Sequence, residues 1–120
     1  MKATKNQIQM IDRLKRRSDF LRAQGSGKKW VSTTLVLQIV ENGLENPRYG
    51  LTVSKKTDKS AVVRNRIRRR LRSAALEVLT AKAKPGIDYV LVGRPAGATK
   101  DYADIVNDLT WCLKRMELLQ

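Results

Sequence analysis

The alternation of apolar and polar positions divides the chain into stretches of two periods. From Trp30 to Val40 the residues are mostly β-branched or apolar, as in a strand. Its odd positions Leu35, Leu37 and Ile39 make one apolar face, with Thr34 and Gln38 on the other. Asn42-Gly43 and Asn46-Pro47 then punctuate a hairpin-like turn. The next strand, Arg48 to Lys55, alternates cleanly: Tyr49, Leu51 and Val53 face one way, Arg48, Gly50, Thr52 and Ser54 the other. Gly50, Thr52 and Ser54 are small, so the second face is a shallow floor ending at Lys55 and Lys56. It is either an ordinary solvent face or the base of a binding site.

Beyond Ser60 the period changes. Val63, Ile67, Leu71, Ala74, Ala75, Val78 and Leu79 repeat at helical spacing and form a stripe for packing on a sheet. This helix ends near Ala83, before Pro85-Gly86. Ile87 to Val92 reads as a short buried strand, followed by a loop from Gly93 to Gly97. A last helix, from about Lys100 to Leu118, carries Tyr102, Ile105, Val106, Leu109, Leu113 and Met116 on one face. Near the start, Ser18 as N-cap, Asp19 in the first turn and Gly25 as stop predict a two-turn helix. Residues 1–13 are polar and basic without a period and read as a mobile arm; residues 14–120 read as one domain. The order is α-β-β-α-β-α, with Trp30 and Val31 available for a further short strand. That order predicts an α/β (α+β) two-layer sandwich, with helices against one mixed sheet of about four strands.

Composition adds a core and a charge. In 120 residues, 42% are apolar but only 5% aromatic, so the interior is mainly Leu, Ile and Val. Twenty-five Lys plus Arg against 11 Asp plus Glu give +14, which on a folded chain points to a polyanion, most commonly nucleic acid. An anionic membrane is the other candidate. Against it, no apolar run is long enough to span a bilayer, and no secretory apolar region follows the basic N-terminus. Met1-Lys2-Ala3 and Glu117-Leu118-Leu119-Gln120 also carry no lipidation signal. The lone Cys112 reads as helix filler and fits a reducing, cytoplasmic location. The chain has no histidine and no clustered carboxylates, so it offers neither an imidazole acid–base pair nor a metal site of its own.

The charge concentrates in one helix. Between Arg64 and Arg72 lie six arginines, although like charges four apart on a helix repel by a few tenths of a kcal/mol each, about 0.2–0.5. At 100° per residue, Arg64, Arg68 and Arg72 line one flank of the apolar stripe, Arg66 and Arg70 the other, and Asn65 and Arg69 point outward. The first carboxylate, Glu77, lies beyond the cluster, and the helix start lacks the acidic residues its dipole favours. Planar guanidinium forks match phosphate, so this stretch predicts an RNA-backbone surface on which Arg66 and Arg70 serve the ligand rather than the fold. A DNA-reading basic helix would need a dimerising zipper, and no heptad run follows. Phe20, beside Lys15-Arg16-Arg17, either stacks on an unpaired base across an open gap above the small-residue floor or packs in the core.

Three segments together carry a resemblance: Leu14 to Phe20, then Gly50-Leu51-Thr52-Val53-Ser54-Lys55-Lys56, then Ala61-Val62-Val63-Arg64-Asn65-Arg66-Ile67-Arg68-Arg69-Arg70-Leu71-Arg72. With their spacing they resemble the protein component of bacterial ribonuclease P. Asp88 to Val92 and Arg94-Pro95-Ala96 are similar to that family's late strand and loop. The resemblance implies a non-catalytic subunit of a ribonucleoprotein endonuclease, whose RNA uses Mg²⁺ to remove the 5′ leader of precursor tRNA. It implies that Arg64, Asn65, Arg66, Arg68, Arg69, Arg70 and Arg72 bind the catalytic RNA. By the same resemblance Phe20, Thr52, Ser54, Lys55 and Lys56 hold the single-stranded leader, and a left-handed β-α-β crossover runs through the arginine helix. Where the family usually has Gly-Asn before that helix, this chain has Lys59-Ser60, and Gln24 and Gln38 stand at two places often aromatic. A ribosomal-protein-like RNA binder is the competing class; it explains the charge but not the spacing.

Overall fold

The computed structural model describes residues 11–118. Five strands form one mixed sheet: β1 (Asp12–Arg13), β2 (Lys29–Val31), β3 (Leu35–Glu41), β4 (Arg48–Thr52) and β5 (Ile87–Gly93). Three α-helices accompany them: α1 (Arg17–Gly25), α2 (Ala61–Lys82) and α3 (Tyr102–Arg115), with a short 3₁₀ turn at Pro95–Ala98. The strand order is β1-β4-β5-β3-β2. β4 and β5 run parallel and are joined through α2, as a β-α-β unit requires, while β3 is antiparallel to both β5 and β2.

The turn after β3 is therefore not a hairpin, because β5 lies between β3 and β4. The segment that leaves β3 crosses the start of β5 instead. The Asn42 N–H donates to the Gly86 carbonyl at 2.9 Å, and the Asn42 side-chain amide donates to Asp88 Oδ1 at 2.9 Å. The long stretch from Trp30 also divides in two, which gives the further short strand β2, and the fifth strand is β1. Thr34, expected on a strand face, sits buried in the β2–β3 turn, where its N–H and hydroxyl donate to the Asp108 carboxylate at 2.9 and 2.7 Å. Of the arm expected over residues 1–13, residues 1–10 lie outside the described residues, and Asp12–Arg13 pair with β4 as β1.

The main core lies between one sheet face and the pair α2 and α3. Leu35, Leu37 and Ile39 of β3, Tyr49 and Val53 around β4, and Tyr89 and Leu91 of β5 meet Ile67, Leu71, Ala74, Ala75, Val78 and Leu79 of α2. The helical stripe expected from periodicity is thus the buried one, with Val63 at its half-buried start. Gly93 permits a close approach in this core: a Cβ there would lie 2.8 Å from Ile67 Cγ2 and 2.9 Å from Val53 Cγ2. Ser60 caps α2 by accepting the Val63 N–H at 3.3 Å. On α3, Ile105, Leu109, Cys112 and Leu113 are buried, whereas Tyr102 is turned out of the stripe and donates its hydroxyl to Glu77 on α2 at 3.0 Å. Burial pushes the Cys112 thiol up to about 11. Trp111 is half-exposed and packs edge-on against Trp30 with ring centres 5.8 Å apart.

The opposite sheet face carries α1 alone. It starts at Arg17, one residue before the expected cap. Arg16 is the N-cap and makes no side-chain capping bond, so Ser18 lies inside the helix. Only Ala23 of α1 is fully buried, in a small second cluster with Leu14 and Val90 and with half-buried Phe20, Val40 and Val92 at its edge.

Candidate nucleic-acid interface

The uncovered part of that second face is a cleft of about 590 Å³. Its floor comes from alternate strand positions: Thr52 of β4, Val90 and Val92 of β5 and Gln38 of β3, which the register sets side by side. Phe20, Leu21 and Gln24 of α1 form one wall, with Lys15 and Arg17 at the helix entrance. Ser54 and Arg68 close the side nearest α2.

Of the residues named for this cleft from the sequence, Phe20, Thr52 and Ser54 meet in it. Lys55 and Lys56 do not line it; they are exposed in the turn that follows Ser54. No open gap separates Phe20 from the small-residue floor. A Cβ on Gly50 would lie 2.6 Å from Phe20 Cε1 and 3.0 Å from Leu14 Cδ1, so the ring rests directly on the glycine backbone. Gly50 serves Phe20 as a seat, and the ring borders the cleft with what remains exposed. The basic pair Lys15 and Arg17 was legible as charge beside Phe20. Val90 and Val92 were hidden because a run of apolar residues in a central strand does not say which face is uncovered.

An ionic knot fixes α1 over the sheet. Asp88 of β5 is fully buried and accepts from Arg48 Nε at 2.8 Å, Arg48 Nη2 at 2.7 Å, Arg22 Nη2 at 3.1 Å and Asn42 Nδ2 at 2.9 Å. Asp19 adds a carboxylate 3.5 Å from Arg48. Burial alone would raise the Asp88 pKa; the bonds from Arg48, Asn42 and Arg22 outweigh it and hold the carboxyl below its ordinary 3.8. The same contact raises the Arg48 pKa further above its ordinary value. The role of Asp88 was not legible from its own stretch, since a lone acid in a strand has no signature.

The arginines of α2 occupy the expected flanks, but several are already engaged. Arg64 Nη1 donates to the Asp58 and Lys59 carbonyls at 2.9 and 2.8 Å. Arg68 donates to Val53 O at 2.9 Å and to Asn65 Oδ1 at 2.8 Å. On the other flank Arg66 Nε donates to Ala98 O at 2.9 Å, and Arg70 Nη1 to Gly97 O at 2.6 Å, with its Nη2 on Lys100 O. The expectation that Arg66 and Arg70 have no part in the fold is corrected: both tie the loop before α3 to α2. Asn65 and Arg69 face outward as expected, and Arg72 buries its Nε without a partner. Among the described residues no group of three or more His, Cys, Asp or Glu could hold a metal ion, and no helix is long and apolar enough to cross a membrane.

A mixed sheet with a basic cleft on one face and an arginine-lined helix on the other defines a distinct class of small α+β protein. The family model for ribonuclease P matches residues 9–117. The chain is 43% identical over 115 residues to the ribonuclease P protein component of Paramagnetospirillum magneticum, covering 92% of this chain and 86% of that one. It is 34% identical over 105 residues to that of Clostridioides difficile, covering 88% and 91%. Among solved structures, the Staphylococcus aureus RNase P protein superposes with a TM-score of 0.74 at 27% identity, covering 90% of this chain and 97% of that one. The RNase P protein from Thermotoga maritima does so with 0.73 at 27% identity, covering 87% and 96%. The chain belongs to the ribonuclease P protein family.

Proposed function

We propose that this chain is the protein subunit of ribonuclease P, acting in removal of the 5′ leader from precursor tRNA. The observation that carries the reading is the adjacency of two surfaces: Arg68 belongs to the arginine helix and also closes the cleft beside Ser54 and Thr52. The helix surface bearing Asn65, Arg66 and Arg69 suits the backbone of the catalytic RNA. The cleft, with its valine floor and basic entrance, suits an unpaired strand better than a duplex. Phe20 offers an aromatic ring to its bases, and Lys15 and Arg17, with Lys55 and Lys56 beyond, offer charge to its phosphates. Thr52 and Ser54 supply hydroxyls to the floor.

In this reading the chain performs no chemistry. It lacks histidine, and its buried carboxylate Asp88 is saturated by four donated hydrogen bonds. The reading assigns Mg²⁺ mainly to the RNA partner. The protein's contribution is affinity: holding the leader makes a precursor bind better than a mature tRNA. DNA and membranes lie outside the reading, which places the protein in the cytoplasm. The test is reconstitution with a bacterial ribonuclease P RNA, scored by 5′ cleavage of precursor tRNA at low Mg²⁺. The chain should stimulate the RNA and cleave nothing alone. Absence of stimulation, or cleavage by the protein after nuclease treatment, rejects it.

A further inference from the structure

The six arginines of α2 spend their donors differently. A guanidinium has five N–H groups, and a phosphate contact of the bidentate kind needs two neighbouring ones free. Arg69 is exposed and donates to nothing among the described residues. Arg66 is exposed and uses only Nε, leaving both terminal nitrogens open. Arg68 and Arg70 are half-buried, and each donates one hydrogen bond from each terminal nitrogen, so both arms of the fork are pinned to the protein although three of the five N–H groups stay unused. Arg70 bridges two carbonyls of one turn, Gly97 and Lys100, while Arg68 joins Val53 at the end of β4 to the Asn65 side chain. Loop carbonyls need donors when strand and helix ladders do not supply them, and here guanidinium groups supply them.

We propose that Arg68 and Arg70 are positioning residues, clamps that hold the loops on either side of α2, and that the phosphate-binding ridge is Asn65, Arg66 and Arg69. This rests on the reading of α2 as the catalytic-RNA surface and divides its residues by role. Asn65 and Arg69, four apart, share the outward face, and Arg66, three before Arg69, stands at its edge on the flank with its terminal nitrogens open. Arg68 takes the Asn65 carbonyl oxygen and thereby turns the Asn65 amide nitrogen outward as a further donor. Charge alone would make all these arginines equivalent. Donor use separates Arg66 and Arg69 from Arg68 and Arg70.

The test measures affinity for ribonuclease P RNA against salt, together with melting temperature and amide hydrogen exchange over residues 97–100, for Arg69→Gln and Arg70→Gln. Each lost phosphate contact lowers the salt slope by a little under one unit, about 0.7–0.9. Arg69→Gln should lose that amount with its melting temperature and exchange unchanged, and Arg69→Lys should restore the slope, since an ammonium still meets a phosphate. Arg70→Gln should keep the slope, melt about 4 °C or more lower and lose protection in the turn. Arg70→Lys should not recover that protection, because one ammonium cannot span two carbonyls as a planar fork does. If Arg70→Gln loses slope like Arg69→Gln while the turn stays protected, the division is wrong and α2 remains the RNA surface. If Arg69→Gln leaves affinity and slope untouched, α2 is not that surface, and the underlying reading falls with the division.

Discussion

The two faces of the sheet are built to different rules. Under α2 and α3 the face is dry: nineteen buried residues form one cluster, and the side chains are Leu, Ile, Val, Ala and Tyr with the single Cys112, with few polar atoms among them. Under α1 only Leu14, Ala23 and Val90 are fully buried in the apolar cluster, and a buried carboxylate with three cationic or amide partners does much of the fastening. The first face holds the protein together by apolar area, which is non-directional and tolerant of small shifts. The second holds one short helix in one place by directed bonds, and it leaves the rest of the face uncovered as a cleft. In the proposed function this uncovered surface is the one that receives the leader, and a face closed over by a core could not do so.

The sharpest way to break the comparison is to damage each face and ask whether the whole fold fails. Leu71→Ala removes a side chain with no exposed surface from the centre of the dry face. It should cost about 2–5 kcal/mol, enough to unfold much of a marginally stable domain. Thermal and urea melts followed by circular dichroism should show one cooperative loss. A change below about 1 kcal/mol would mean that the cavity collapses and the face is less tightly packed than its contacts indicate.

The dry face was also the legible one. Its helix stripe and the Leu35, Leu37, Ile39 and Tyr49, Leu51, Val53 alternations are periodic, and periodicity is what a sequence displays. Strand order was not legible: Asn42-Gly43 and Asn46-Pro47 carry turn chemistry, but local chemistry cannot say that β5 will insert between β3 and β4. The α1 face was read through Phe20, Thr52 and Ser54, which do meet. Its fastening was not, because Arg22, Asn42, Arg48 and Asp88 are scattered along the chain and become one cluster only in the fold. The same holds for the arginine clamps. Flank positions follow from helix geometry, whereas the carbonyls of Gly97 and Lys100 reach Arg70 only through the tertiary path of the loop.

Asp88→Asn tests the wet face next. It leaves Arg48 and Arg22 facing a neutral amide in a site with no exposed side-chain surface on the acid. Breaking a buried pair costs about 3–5 kcal/mol, and the partial exposure of both arginines places this variant at or below the lower end. The pH dependence has a definite sign. Because the folded carboxyl sits below its ordinary 3.8, the unfolded chain binds that proton first, so the contribution is full above that value and is lost as pH falls through the folded pKa. Acid titration of stability below about pH 4 should therefore be shallower in Asp88→Asn than in the parent chain. Identical acid limbs would show that the knot is not ionised as drawn. The variant should also lose preference for precursor over mature tRNA before it loses affinity for the catalytic RNA, since α1 is loosened and α2 is not.

The smallest effect expected is also the one that separates Phe20 as cover from Phe20 as contact. The ring seats on Gly50 and packs beside Leu14, so Phe20→Ala would open a hole and confuse the two roles. Phe20→Leu keeps an apolar side chain of similar reach over Gly50 and removes only the aromatic face. Apolar swaps that conserve volume cost less than about 1.5 kcal/mol, and this half-buried site should fall well inside that limit. Stacking of a base on an aromatic ring contributes about 1–3 kcal/mol, and a half-buried ring should sit at the low end, about a fivefold loss. The loss should be confined to precursor tRNA with a leader of several nucleotides, with mature tRNA bound as before. If the two RNAs bind Phe20→Leu as they bind the parent chain, Phe20 is cover alone, and the leader is held by the Thr52, Ser54 and Lys15 side of the cleft.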